Sequence, residues 1–185
     1  SSAASDVYKR QTELNGLKHF SFEDHNHQKF DIYSDEHNTG IGLGIPSFES
    51  SVNPLHQVQG LGPVIIKVNE LPITTSILIQ VFGLDLFAEY LPHEEATQHI
   101  HVFKIGEGGL GGELHLYEAK ENIEMADCGP IEQVEFATKE REAFNHAKER
   151  LDDIGIPYQT LEQDDSESLR ITENSGISFI YTLEK

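Results

Sequence analysis

Three histidines and one aspartate are the residues of this 185-residue chain whose types and spacing best suit chemistry. His99 and His101 stand two positions apart in a strand-like segment, so both side chains project to one side of it. His115 follows a glycine-rich run in the next such segment, and Asp31 falls at the equivalent site of an earlier one. Neutral imidazoles and a carboxylate are suitable ligands for Fe, Zn or Ni. The pattern predicts a metal site of His99, His101 and His115, with Asp31 as a further ligand. The plainer alternative is three histidines on a half-solvated sheet.

The elements that would position them recur. Two segments, Gly62–Glu118 and Pro130–Glu184, each run strand, helix, glycine and then three strands. In the first, Val64, Ile66 and Val68 alternate with Pro63, Ile65 and Lys67, as a strand with two unlike faces does. Pro72 fits the first turn of a helix, and Ile73, Ile77, Val81 and Phe82 recur at helical spacing up to Gly83. Strands are expected at Leu86–Tyr90, His99–Ile105 and Glu113–Tyr117. In the second segment, Phe144, Ala147, Leu151 and Ile154 form a helical stripe that Gly155 ends and Pro157 blocks. Strands at Ser168–Thr172 and Ile177–Leu183 close its sheet.

The expected fold class is α+β. Tandem βαβββ modules would form a cupped mixed sheet with helices on the convex side. A period of two assigns the faces. Val134, Phe136, Phe179, Tyr181 and Leu183 go under the second helix, and Leu114, Leu116, Ile100 and Val102 under the first. The hollow face receives Lys67, His99, His101, Glu113, His115 and Tyr117 in one module. It receives Gln133, Glu135, Ser178, Ile180 and Thr182 in the other.

The remaining organisation is read as follows. Residues 1–11 lack hydrophobic periodicity and read as an artefactual leader of adapter origin or a disordered terminus, so the natural protein is expected to extend further upstream. Residues 12–38 hold two strands, Leu17–Phe22 and Lys29–Asp35, around the polar turn Asp24–Gln28. They read as the end of an incomplete module. Residues 39–59 and 119–129 are linkers, 60–118 one module and 130–185 another. The run Gly106–Gly112 lies between two strands rather than before a helix, which makes it a hairpin turn and not a phosphate loop.

Composition excludes some partners. Thirteen basic residues against thirty-two acidic ones give a formal charge of −19. That balance opposes nucleic-acid phosphates and anionic membrane surfaces. No apolar run is long enough to span a bilayer, and no signal-peptide pattern opens the chain. The single Cys128 cannot form an internal disulfide and reads as a bystander, which fits a cytoplasmic location. The incomplete module predicts an exposed sheet edge and a tendency to self-associate.

Several stretches together resemble the vicinal oxygen chelate superfamily of glyoxalases and extradiol dioxygenases. They are Phe22-Glu-Asp-His-Asn-His-Gln-Lys-Phe-Asp-Ile-Tyr-Ser-Asp-Glu36, Gly60-Leu-Gly-Pro-Val64, Gly106-Glu-Gly-Gly-Leu-Gly-Gly-Glu-Leu114 and the pattern of Ile131–Glu184. The likeness is greatest to four-module ring-cleaving dioxygenases of the hydroquinone type. It covers nearly everything after residue 16, as the end of module two and all of modules three and four. It implies Fe(II) or another divalent metal held by two His and one carboxylate, with positions left open for a diol and O₂. One His would start the last module's first strand and the carboxylate would lie in its last strand. This sequence has Gln133 and Ile180 there, and an isoleucine cannot ligate. The resemblance therefore implies either a metal-dependent dioxygenase of dihydroxybenzene-type substrates with these ligand positions replaced, or a non-catalytic module binding a small aromatic molecule. As an enzyme, Gln133 would contact substrate and Glu135 would move protons.

Overall fold

The computed structural model describes residues 11–14, 17–27, 29–92, 95–119 and 133–184. The fold is α+β, with eleven described strands in three sheets and two α-helices. Strands β1 (Gln11–Leu14), β2 (Leu17–Glu23) and β3 (Lys29–Tyr33) form an antiparallel sheet. A 3₁₀ turn at Pro54–His56 interrupts the segment read as a linker. Strands β4 (Val64–Val68), β5 (Asp85–Tyr90), β6 (Ile100–Lys104) and β7 (Glu113–Glu118) form a second sheet in the order β4-β7-β6-β5, with α1 (Leu71–Gln80) between β4 and β5. Strands β8 (Gln133–Thr138), β9 (Gln159–Glu162), β10 (Ser166–Thr172) and β11 (Ser178–Glu184) repeat the plan as β8-β11-β10-β9, with α2 (Arg141–Ile154) between β8 and β9. Both four-stranded sheets are thus βαβββ. The first residues, Cys128 and most of the 119–129 linker lie outside the described residues. Among the described residues no helix is long and apolar enough to cross a membrane.

The helices stop where the chemistry of their last turns dictates. Pro72 occupies the first turn of α1, where its missing N–H costs no helical bond. Gly155 takes the left-handed conformation at φ 77°, and the Gly155 and Ile156 amides both donate to the Leu151 carbonyl at 3.0 Å. Phe144, Ala147 and Leu151 of α2 are buried as the stripe requires. Ile154 is not: it is 43% exposed at the helix's last residue, where it lines a cleft of ≈ 440 Å³ with Ile73, Ile77 and Ile156.

The described residues fall into two compact units, one within residues 1–65 and 87–115 and the other within 66–86 and 116–185. The core of the second unit is aromatic. Phe82, just beyond α1, lies 5.5 Å from both Phe136 and Tyr181 and 6.3 Å from Phe179, measured between ring centroids. Phe136 stacks on Phe179 at 6.0 Å and Phe144 on Tyr181 at 5.9 Å. The buried Glu173 carboxylate has partners that offset its desolvation. It accepts from Thr74 Oγ1 at 3.0 Å and from the Ser175 amide at 2.7 Å.

In the first unit, glycines let two backbones touch. The turn Gly106–Gly112 is a hairpin loop, closed by the Ile105 amide on the Gly112 carbonyl at 2.8 Å. Against it lies the segment after β3. The Ile41 amide donates to the Gly108 carbonyl at 2.7 Å, and the Leu110 amide donates to Asn38 Oδ1 at 2.8 Å. Gly109 has φ +85°, and a Cβ there would stand 2.3 Å from the Thr39 carbonyl oxygen. The glycine-rich run is therefore a hairpin turn that serves as a backbone clasp.

Candidate functional site

Period-two alternation delivers the polar side chains of each sheet to one face. On β6 and β7, Val102, Leu114 and Leu116 are buried in the core, so His101, Glu113 and His115 project the other way. His115 is only 4% exposed. Its Nε2 lies 3.0 Å from Glu113 Oε2, and its Nδ1 lies 3.0 Å from the Tyr90 hydroxyl. An ionised carboxylate only accepts. In the neutral ring Nε2–H therefore donates to Glu113, and Nδ1 accepts the Tyr90 hydroxyl proton. Tyr90 also packs edge-on against the imidazole at 5.5 Å. Burial, then Tyr33 and Glu113, push the Tyr90 phenol well above its ordinary range.

The four residues expected to bind metal are not gathered into one site. His115 has both ring nitrogens committed to Glu113 and Tyr90. His101 Nδ1 is paired with Glu89 at 2.9 Å, and His99 is exposed just before β6. Asp31 accepts the Ser21 hydroxyl proton instead of turning to the histidines. Among the described residues, no three His, Cys, Asp or Glu side chains are grouped to hold a metal ion. What the strands bring together instead is a Tyr90–His115–Glu113 hydrogen-bonded line. Sequence reading placed His115 and Glu113 on this face but missed Tyr90 and Glu89. β5 gave no clear signal, since Asp85, Leu86 and Phe87 are all exposed and Glu89 and Tyr90 are consecutive residues.

Asp31 and Tyr33 line a cleft of ≈ 590 Å³ with Phe20, Leu43, Leu55 and Val58. Burial first and the Asp31 charge second raise the Tyr33 phenol from 10.0 to about 12. The folded form thus favours the neutral phenol. This contribution to stability is fully present below pH 10 and is lost as pH rises through about 12. Asp31→Asn removes a negative charge that opposes the phenolate. It is expected to lower the Tyr33 titration midpoint, read from ultraviolet phenolate absorbance against a Tyr33→Phe blank. An unmoved or higher midpoint would contradict the assignment of Asp31 as its neighbour.

The last sheet presents a second polar face. Val134, Phe136, Leu169, Ile171, Phe179, Tyr181 and Leu183 are buried, as is Thr182 at 7% exposed on the opposite face. Gln133 and Glu135 lie exposed on β8. Register places Gln133 opposite Ser178, and Glu135 opposite Ile180 with Arg170 on its far side. Thr182 Oγ1 donates to Glu135 Oε1, and Ser168 and Thr182 hydroxyls are 2.9 Å apart. Arg170 donates to Ser178 Oγ from Nε at 3.2 Å and from Nη2 at 3.0 Å. Arg170 was overlooked in the sequence, although buried-type residues on either side of it already fix its direction.

The fold is similar to that of known structures. A glyoxylase/bleomycin resistance protein/dioxygenase domain from Frankia sp. EAN1pec superposes with a TM-score of 0.54 at 16% identity, over 70% of this chain and 100% of that one. A Bacillus subtilis subsp. subtilis str. 168 protein provisionally assigned as a dioxygenase gives 0.58 at 15% identity, over 68% of this chain and 41% of that one. The fold is that of the vicinal oxygen chelate proteins. A mutant fosfomycin resistance protein with this vicinal oxygen chelate fold, FosX from Listeria monocytogenes, complexed with Mn(II) and a dihydroxypropylphosphonic acid, gives 0.51 at 15% identity. It is matched over 70% of this chain and 95% of that one. In sequence, the chain is 28% identical over 123 residues to MhqA of Bacillus subtilis (strain 168), provisionally named a ring-cleaving dioxygenase. That match covers 66% of this chain and 38% of MhqA. No protein-family profile matches the chain.

Proposed function

We propose that this chain supplies substrate-binding faces of a ring-cleaving-dioxygenase-type protein and holds a small aromatic molecule against its sheets without a metal centre of its own. The similarity to MhqA supports the substrate class. The observation that carries the reading is the set of polar side chains on the last sheet. Gln133, Glu135 and Arg170 offer hydrogen bonds, with Ser178 and Thr182 holding Arg170 and Glu135 in place, while Ile180 gives the same face an apolar floor. A few placed polar groups on an apolar surface suffice for binding. The residues do not fit the Fe(II) that the resemblance implies, because a glutamine and an isoleucine stand at the two matched ligand positions. His115 is no substitute, being held by Tyr90 and Glu113.

The role left to these residues is to bind and orient. Glu135 accepts a hydroxyl proton, and the Tyr90–His115–Glu113 line keeps the imidazole in one tautomer on the other unit's face. A second reading, ring cleavage by a longer protein, is favoured by the short span of the match to MhqA. Calorimetric titration with hydroquinone, with and without Fe(II), separates the two. Binding that is independent of iron is expected. Binding seen only after stoichiometric iron uptake would overturn the proposal in favour of a metal-dependent enzyme.

A further inference from the structure

The last sheet's open face carries a charge arrangement that selects among aromatic ligands. Glu135 on β8, Ile180 on β11 and Arg170 on β10 form one row across three neighbouring strands. Two strand spacings put the two outer backbones about 9.5 Å apart. Leu169 and Ile171, buried beneath the sheet, hold Arg170 on the open face. Its bonds to Ser178 use Nε and Nη2 and leave Nη1 and one Nη2 proton unspent. Among the described residues no carboxylate pairs with this guanidinium. Thr172 in turn lies 3.3 Å from Ser178 Oγ, so the hydroxyl that steadies Arg170 is itself steadied. Glu135, whose Oε1 takes the Thr182 proton, retains acceptor capacity.

We infer that this row binds an aromatic carboxylate bearing a ring hydroxyl, with the carboxylate on Arg170, the ring over Ile180 and the hydroxyl donating to Glu135. The inference rests on the proposed aromatic binding and names its substrate class. A planar guanidinium with an unspent edge matches a carboxylate in two parallel bonds, which a neutral phenol cannot supply. In a chain of net charge −19, anions are repelled at long range, so Arg170, without a carboxylate partner among the described residues, sets the selectivity at contact. The replacement of a ligating carboxylate by Ile180 fits the same picture, since the ring then meets an apolar floor.

The test is calorimetric titration of the chain with 4-hydroxybenzoate, benzoate and 4-methylphenol. 4-Hydroxybenzoate is expected to bind about ten- to a hundredfold tighter than 4-methylphenol, the ratio that a charge-assisted bond pair supports. Arg170→Gln should erase that ratio and Arg170→Lys keep part of it, with thermal unfolding confirming that both variants fold. Glu135→Gln should narrow the gap between 4-hydroxybenzoate and benzoate. Equal affinity for 4-hydroxybenzoate and 4-methylphenol would overturn the Arg170 assignment while leaving aromatic binding intact. A preference that survives Arg170→Gln would also overturn it. Failure of all three probes to bind would overturn both this inference and the proposed function.

Discussion

Phe179→Ala is expected to destabilise the chain by about 3–5 kcal/mol, the range for truncating a fully buried aromatic. Phe179 is 0% exposed and sits in β11 between Ser178 and Ile180, pointing away from the open face. Its ring meets Phe136 on the neighbouring strand and Phe82 beyond α1, so alanine removes one member of a ring cluster shared by three elements. Neither neighbour is free to fill the gap, because Phe82 and Phe136 already contact each other. Denaturant unfolding measures the loss. A cost below about 1.5 kcal/mol, the level of a tolerated core swap, would mean that the cluster is not packed as described. The folded fraction should still bind ligand, because the substitution leaves the polar row untouched.

Gly109→Ala should cost about 2–4 kcal/mol, from a positive φ and from a forced backbone shift together. The Cβ would approach the Thr39 carbonyl oxygen at 2.3 Å and the Ile41 amide nitrogen at 3.0 Å, and neither is a flexible side-chain end. Gly106→Ala is the matching control. It also has a positive φ, +55°, but an added Cβ meets nothing within 4 Å. Its cost should be the conformational part alone, about 1–2 kcal/mol. Equal losses for the two variants, again by denaturant unfolding, would remove the clasp from the account.

The module plan was legible because hydrophobic period and glycine punctuation agree along most of it. The alternation at Val134 and Phe136 and the stripe at Phe144, Ala147 and Leu151 fixed elements and faces together. Strand boundaries differed by a residue or two, as with β10, which begins at Ser166 rather than Ser168. Strand β9 carried no readable signal, since all four of its residues are exposed. Ile154 shows the limit of a stripe at a helix end, where spacing persists after the covering sheet has run out. The site was less legible than the fold. Spacing assigned His99, His101 and His115 to one face, but it carried no information on how the ring nitrogens of His101 and His115 are spent. Those commitments depend on Glu89, Tyr90 and Glu113, which chain spacing cannot place within bonding distance. Arg170 was readable from its neighbours, yet that no carboxylate among the described residues pairs with it is a three-dimensional fact.

The position of β11 has a consequence for assembly. It is the last strand of its module in sequence, yet it is bonded on both sides, to β10 as an antiparallel hairpin and to β8 in parallel. The hairpin partners are close along the chain, whereas Gln133 and Ser178 must find each other across the whole of α2, β9 and β10. Closing that longer loop carries the larger entropic cost. During synthesis β8 and α2 leave the ribosome without the strand that joins them. A chain cut before Ser178 would lack the middle of this sheet rather than its margin, and the remaining strands would have no ladder connecting them to β8.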